Sequence, residues 1–95
     1  RNVIQATIAK YLSQVRACYE QGLRLKPGLT GQVTMNFEIG REGHLSYARV
    51  SKTSLGDKGV EDCISNRMVS WQFPRPVGGV NVKVNYPFFL RPVGH

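Results

Sequence analysis

From Val80 to Leu90 the chain alternates almost residue by residue, and it does so around a proline. Val80, Val82, Val84, Tyr86, Phe88 and Leu90 take one parity, while Asn81, Lys83 and Asn85 take the other. A period of two marks a strand with one buried face and one solvated face. Pro87 sits inside that run, and proline has no N–H to give to a ladder. A strand carrying it belongs at the edge of a sheet. Such a segment needs a sheet on one side and a core beneath it. On the other side it leaves a row of backbone groups facing outwards.

A second alternating stretch runs from Gln32 to Ile39, with Val33, Met35, Phe37 and Ile39 set against Gln32, Thr34, Asn36 and Glu38. Gly40, Arg41, Glu42 and Gly43 make a turn, because glycine supplies the positive φ that tight turns need. His44 to Ser51 then returns as a second strand. Its apolar residues Leu45, Ala48 and Val50 change phase, which predicts a bulge near Tyr47. Before this hairpin, Ile4, Ile8, Tyr11, Val15, Cys18 and Gly22 recur at three- and four-residue steps. That spacing predicts a helix over Asn2 to Leu25, ended by Pro27 and Gly28. After the hairpin, Thr53 to Gly59 is a connection, and Asp57 is placed to cap a second helix. Glu61 and Asp62 fall in the first turn, where the helix dipole favours them. Val60, Cys63, Ile64, Met68 and Trp71 form its apolar stripe, and the helix is expected to stop near Trp71, before Pro74. Arg75 to Gly79 is a loop.

The predicted order is therefore α-β-β-α-β, an α+β fold. A right-handed crossover that skips one strand makes the first strand central. The expectation is a three-stranded antiparallel sheet with two helices packed on one face, that of Val33, Phe37, Val82 and Val84. The other face stays polar.

A length of 95 residues suits a single domain over residues 1–95. The sequence opens at Arg1 without an initiator Met, and the expectation is a domain cut from a longer chain. No apolar run approaches the roughly 18 residues that span a bilayer, and no signal peptide is visible. Thirteen Lys and Arg against six Asp and Glu leave a formal charge of +7. The basic residues are spread from Arg1 to Arg91 with no run of five. A dispersed charge reads as a solvated surface or a mild attraction to anionic polymers, with no specific nucleic-acid contact.

Nothing in the chain points to catalysis. His44 at the turn and His95 at the terminus have no carboxylate neighbour in a catalytic pattern, and no nucleophile elbow, phosphate loop or His-Glu-x-x-His occurs. Cys18, Cys63 and two histidines match no zinc spacing. The expectation is no enzyme, no cofactor and no metal. The two cysteines both fall on inward helical stripes. They serve either as buried thiols, acting as small hydrophobes, or as one disulfide across 45 positions of chain. Trp71, Phe73 and Tyr19 read as core aromatics. Pro74 and Pro76 stiffen the approach to the last strand. Phe89 falls on the parity opposite the core, free to cover a partner or the end of the first helix.

The stretch Gly31-Gln32-Val33 through Ile39, with Gly43 and Val50, resembles the hairpin of TonB C-terminal domains. Trp71-Gln72-Phe73-Pro74-Arg75-Pro76, then Gly79 and an alternating strand, resembles their last helix-to-strand passage. Cys18-Tyr19-Glu20 with Cys63, and the final Tyr86-Pro87-Phe88, are similar to the variant in AgmX/PglI-type gliding-motility proteins. The resemblance covers nearly the whole chain. It implies a periplasmic domain of an inner-membrane protein whose parent chain couples to a proton-driven motor. It implies capture of an outer-membrane or periplasmic protein segment by strand addition. The oxidising periplasm implies a Cys18–Cys63 disulfide. TonB itself carries a Tyr-Pro pair ahead of its first sheet strand, whereas Tyr19 here is followed by Glu20. The role implied is motility or envelope machinery rather than iron import.

The partner-binding residues are then expected along the edge strand at Val80, Asn81, Val82, Lys83, Val84 and Asn85. Main-chain bonds supply affinity there and alternate side chains supply choice. A proline at Val82 or Val84 is expected to abolish capture. The same strand could instead pair with a second copy, giving a homodimer. Two other readings stand beside capture. One is a basic nucleic-acid-binding domain using Thr34, Asn36 and Lys83 on the polar sheet face. The other is a passive envelope anchor.

Overall fold

The computed structural model describes residues 3–92. Helix α1 spans Val3–Leu25, strand β1 Gly31–Ile39, strand β2 Leu45–Thr53, helix α2 Lys58–Met68 and strand β3 Val82–Leu90. The order is α-β-β-α-β, and both strand pairings are antiparallel with β1 in the centre, β2-β1-β3. The α+β fold is as the periodicity predicts, and the central first strand is as a crossover that skips one strand requires.

β1 alternates without error: Val33, Met35, Phe37 and Ile39 are buried and the residues between them are half-buried. Those four meet Ile8, Val15, Cys18 and Tyr19 of α1 and Val60, Ile64 and Met68 of α2 in one core. β2 departs from regularity twice. Glu38 faces Tyr47 but Ile39 faces Leu45, and Thr34 faces Lys52 but Met35 faces Val50. Ser46 and Ser51 are the extra residues. The first is the predicted bulge, one residue from Tyr47, and the second is new. The first re-phases the strand so that Ala48 and Val50 return to the core side.

α1 ends as expected. The Lys26 N–H still reaches the Gly22 carbonyl, and Leu29 N–H then closes a turn on Lys26. The Tyr19 hydroxyl donates to the Leu29 carbonyl, which pins that turn against the helix. Burial pushes the Tyr19 phenol above its ordinary pKa. α2 begins at the predicted cap: Asp57 Oδ1 accepts from the Val60 N–H at 3.0 Å. It stops at Met68, three residues short of Trp71. Ser70 and Trp71 donate their N–H groups to Arg67 and Met68, three residues back. These tighter turns swing Trp71 under the sheet, where it is 1 % exposed.

The Val60 N–H bond is the largest influence on the Asp57 carboxyl; it outweighs desolvation and, with lesser help from the Lys26 ammonium at 3.5 Å, holds the group below its ordinary pKa. A depressed folded-state pKa adds stability that is complete above the unfolded value, about pH 4, and is lost as pH falls through the lower folded value. Asn caps as well as Asp but carries no charge. Asp57→Asn should therefore flatten this part of the acid limb. The check is denaturant stability at pH 5 and pH 3 in wild type and variant. An unchanged difference between the two pH values would mean the carboxylate is not the responsible group.

The two helices cross at close range. A methyl group at Gly22 would lie 2.5 Å from Val60 Cγ2 and 2.9 Å from Leu29 Cδ2, so only glycine admits this approach. One turn away, Cys18 and Cys63 form a disulfide with a Cα–Cα distance of 5.7 Å.

β3 begins later than its alternation suggests. β1 ends at Ile39, opposite Val82, and Gly40 turns away into the hairpin, where it donates to the His44 carbonyl. Val80 and Asn81 thus have no strand to pair with, and Val80 is 58 % exposed instead of buried. A short 3-10 turn over Val77–Gly79 precedes them. Asn2 and His95 lie outside the described residues.

Candidate functional site: the free edge of the third strand

Which backbone groups β3 offers outwards follows from two bonds on the opposite side of the sheet. Gln32 gives its N–H to Ser54 Oγ and its carbonyl accepts from the Ser54 N–H. Gly40, eight residues on, also bonds towards β2. Successive residues of a strand turn their N–H and C=O to alternate sides. Even-numbered residues of β1 therefore face β2, and Val33, Met35, Phe37 and Ile39 face β3. Their partners are Phe88, Tyr86, Val84 and Val82, whose backbone points inwards. Lys83, Asn85, Pro87 and Phe89 consequently point their backbone out of the sheet.

Pro87 thus falls where its missing N–H costs no bond to β1. Along the free edge, Lys83 and Asn85 offer both donor and acceptor, whereas Pro87 offers a carbonyl alone. The side chains of Lys83 and Asn85 are exposed on the polar face. Asn36 Nδ2 donates to Asn85 Oδ1 at 3.1 Å, which orients the asparagine, and Lys83 lies across from Glu38. Phe89 is 72 % exposed on that same face. β2 carries two bulges while β3 pairs with β1 in unbroken register. Bulges twist an edge away from further pairing, so β3 is the more open of the two edges.

Of the expected partner-binding residues, the structure brings Lys83 and Asn85 to the free edge by both backbone and side chain. Val82 and Val84 lie in β3, but their backbone bonds inwards and their side chains are half-buried. Val80 and Asn81 precede the strand and belong to no ladder. A proline at Val82 or Val84 would therefore break the sheet itself, and the informative positions are Lys83 and Asn85.

The motif residues from Trp71 to Pro76 build the approach to β3. Trp71 stacks on Tyr11 with ring centroids 4.7 Å apart and donates from Nε1 to Gln14 at 2.9 Å. Phe73 packs on Phe37 and donates its N–H to the Gly43 carbonyl. Gln72 Nε2 reaches the Glu42 carbonyl at 3.0 Å, and Arg75 pairs with the Glu42 carboxylate at 3.1 Å. Gly43, with φ of 91°, lies so close under Phe73 that a Cβ there would strike the Phe73 carbonyl. The hairpin tip thus clasps the segment that leads past Pro74 and Pro76 into β3. Tyr86 is half-buried against Phe88, with ring centroids 5.1 Å apart.

A groove of about 580 Å³ runs between α1 and the second half of β3. Leu12, Leu23, Tyr86 and Phe88 contribute its apolar wall, and Arg16 and Arg91 stand at its rim. Sequence periodicity did not point to it. The available signal was the pair Leu12 and Leu23, which lie off the main buried stripe of α1. Among the described residues, no three His, Cys, Asp or Glu side chains are grouped to hold a metal, and no helix is long and apolar enough to cross a membrane. Comparison with known family patterns, with curated proteins and with solved structures finds no match for this chain.

Proposed function

We propose that this domain is a protein-binding module that captures an extended segment of another protein by strand addition along the free edge of β3. The observation that carries this reading is the unbulged outer edge at Lys83 and Asn85, beside an edge-strand proline that costs no ladder bond. The site is one of binding rather than catalysis. The Cys18–Cys63 disulfide favours an oxidising compartment. With the resemblance to TonB C-terminal domains of the AgmX/PglI type, it supports placement in the periplasm. There the domain would belong to an inner-membrane protein of an energy-transducing envelope machine, such as one for gliding motility. A strand pair pulled along its length loads its hydrogen bonds in shear, which suits a joint that must hold under force.

Asn85→Pro removes the second donor of the free edge and the exposed Asn36 side-chain bond without touching a backbone bond to β1. The variant should fold with unchanged circular dichroism and lose capture. In cells, a photo-crosslinking side chain at Asn85 or Lys83 should trap one envelope protein, while the same group at Arg49 should not. Capture at wild-type strength by folded Asn85→Pro would sink the edge reading. Adducts to nucleic acid at Arg49 would point instead to the basic face.

A further inference from the structure

We propose that the groove between α1 and β3 is the specificity pocket of the captured strand, and that it selects an acidic segment of another protein carrying an apolar residue two positions from a carboxylate. The proposal rests on strand addition at β3. Residues opposite one another on paired strands project to the same face. Those of an added strand that lie opposite Tyr86 and Phe88 therefore project to the α1 side, into the groove. The residues between them project to the polar face beside Lys83 and Asn85, into solvent. Only every second residue of the segment is read by the groove, and such residues are spaced about 7 Å apart.

The groove's chemistry sets what those residues should be. Leu12, 39 % exposed, and the half-buried Leu23 and Tyr86 form an apolar wall that an added side chain would cover. A volume of about 580 Å³ has room for more than one side chain. Arg16 and Arg91 are exposed at the rim, and among the described residues neither has an ion-pair partner. Glu20 is the one carboxylate in the lining, so the rim is net positive, on a chain of net charge +7. A basic segment would bring like charges together there, which opposes binding. A second copy paired through β3 would bring its own basic residues to the same edge. Charge complementarity thus favours an acidic partner over a homodimer.

The test is selection of random twelve-residue peptides displayed on phage against the whole domain, followed by anisotropy titration of the selected peptides. The expected peptides place Asp or Glu two positions from Leu, Ile, Val or Phe. Their binding should weaken as ionic strength rises. The Arg16→Glu/Arg91→Glu double variant, with both changes on exposed side chains, should bind them about tenfold more weakly. It should also prefer their Asp→Lys counterparts. Selected peptides without acidic preference, or binding unchanged in the double variant, overturn the groove proposal. Loss of the same peptides in Asn85→Pro then leaves strand addition standing. Peptides that bind Asn85→Pro as well as wild type overturn strand addition and the groove together. So does a library that yields no binder, or a domain that sediments as a β3-paired dimer and excludes peptide.

Discussion

Replacing Cys18 and Cys63 together by alanine is expected to remove about 4 kcal/mol of stability. The bond joins residues 45 apart, and the loss of unfolded-chain freedom in a loop of that size sets the figure. A domain of this length holds on the order of 5–14 kcal/mol in all, so the pair is a large share. The bond is also well supported. It lies one turn from the Gly22–Val60 approach, so the two helices are already in contact where the sulfurs meet. Cys18 is 1 % exposed. Cys63 is half-buried, so any attack by a reductant on the folded domain comes from that side. The measurement is urea unfolding of wild type with and without dithiothreitol, beside the double variant. Reduced wild type should match the variant, and both midpoints should fall well below that of the oxidised protein. Coincident midpoints for all three would show that the bond constrains nothing the unfolded chain would otherwise explore.

Trp71→Ala should cost about 3–5 kcal/mol, the range for truncating a buried large aromatic. The ring is 1 % exposed, stacked on Tyr11 and edge-on to Phe88 at 6.5 Å. Its loss opens a void between α1 and β3 and leaves Gln14 without its donor. For a domain of this size, each 1 kcal/mol is roughly 4–8 °C of Tm, so a fall of more than about 12 °C is expected in a thermal melt. Trp71 is the chain's single tryptophan, which makes circular dichroism the suitable probe. Trp71→Phe keeps most of the buried ring and loses only the Nε1 bond, so it should fall much less and still capture a strand. A Tm within a few degrees of wild type for Trp71→Ala would mean the neighbouring side chains collapse into the space.

The elements that local pattern could reveal were legible, and the failures are long-range. β1 is readable to within one residue, Gly31, because its partners on both sides enforce the period of two that its residues already carry. The first bulge was visible because Leu45, Ala48 and Val50 change phase. The second, at Ser51, left no such mark, since the residues after it are polar and exposed. The start of β3 could not be read from its own residues. Val80 fits the alternation perfectly well, yet it is unpaired because β1 turns at Gly40, half the chain away. α2 ends early for a similar reason: Trp71 follows the helical stripe in sequence but reaches the core by turning off the helix. At the site, parity marks Lys83 and Asn85 together with Asn81. That their backbone, and not that of Val82 and Val84, faces outwards depends on how Gln32 bonds to Ser54 across the sheet. The groove depends on where α1 lies relative to β3, which no local pattern encodes. Helical spacing turns both cysteines inwards, while their pairing rests on the resemblance alone.

The contrast between a twice-bulged β2 and a smooth β3 has a consequence for assembly. A sheet open at both edges behaves like a monomer with two reactive ends, and such monomers grow into chains without limit. A sheet open at one edge is a chain terminator: it accepts one strand and stops. At high local concentration two copies could therefore meet only through β3, and self-association of this domain should stop at a pair rather than grow into a fibre.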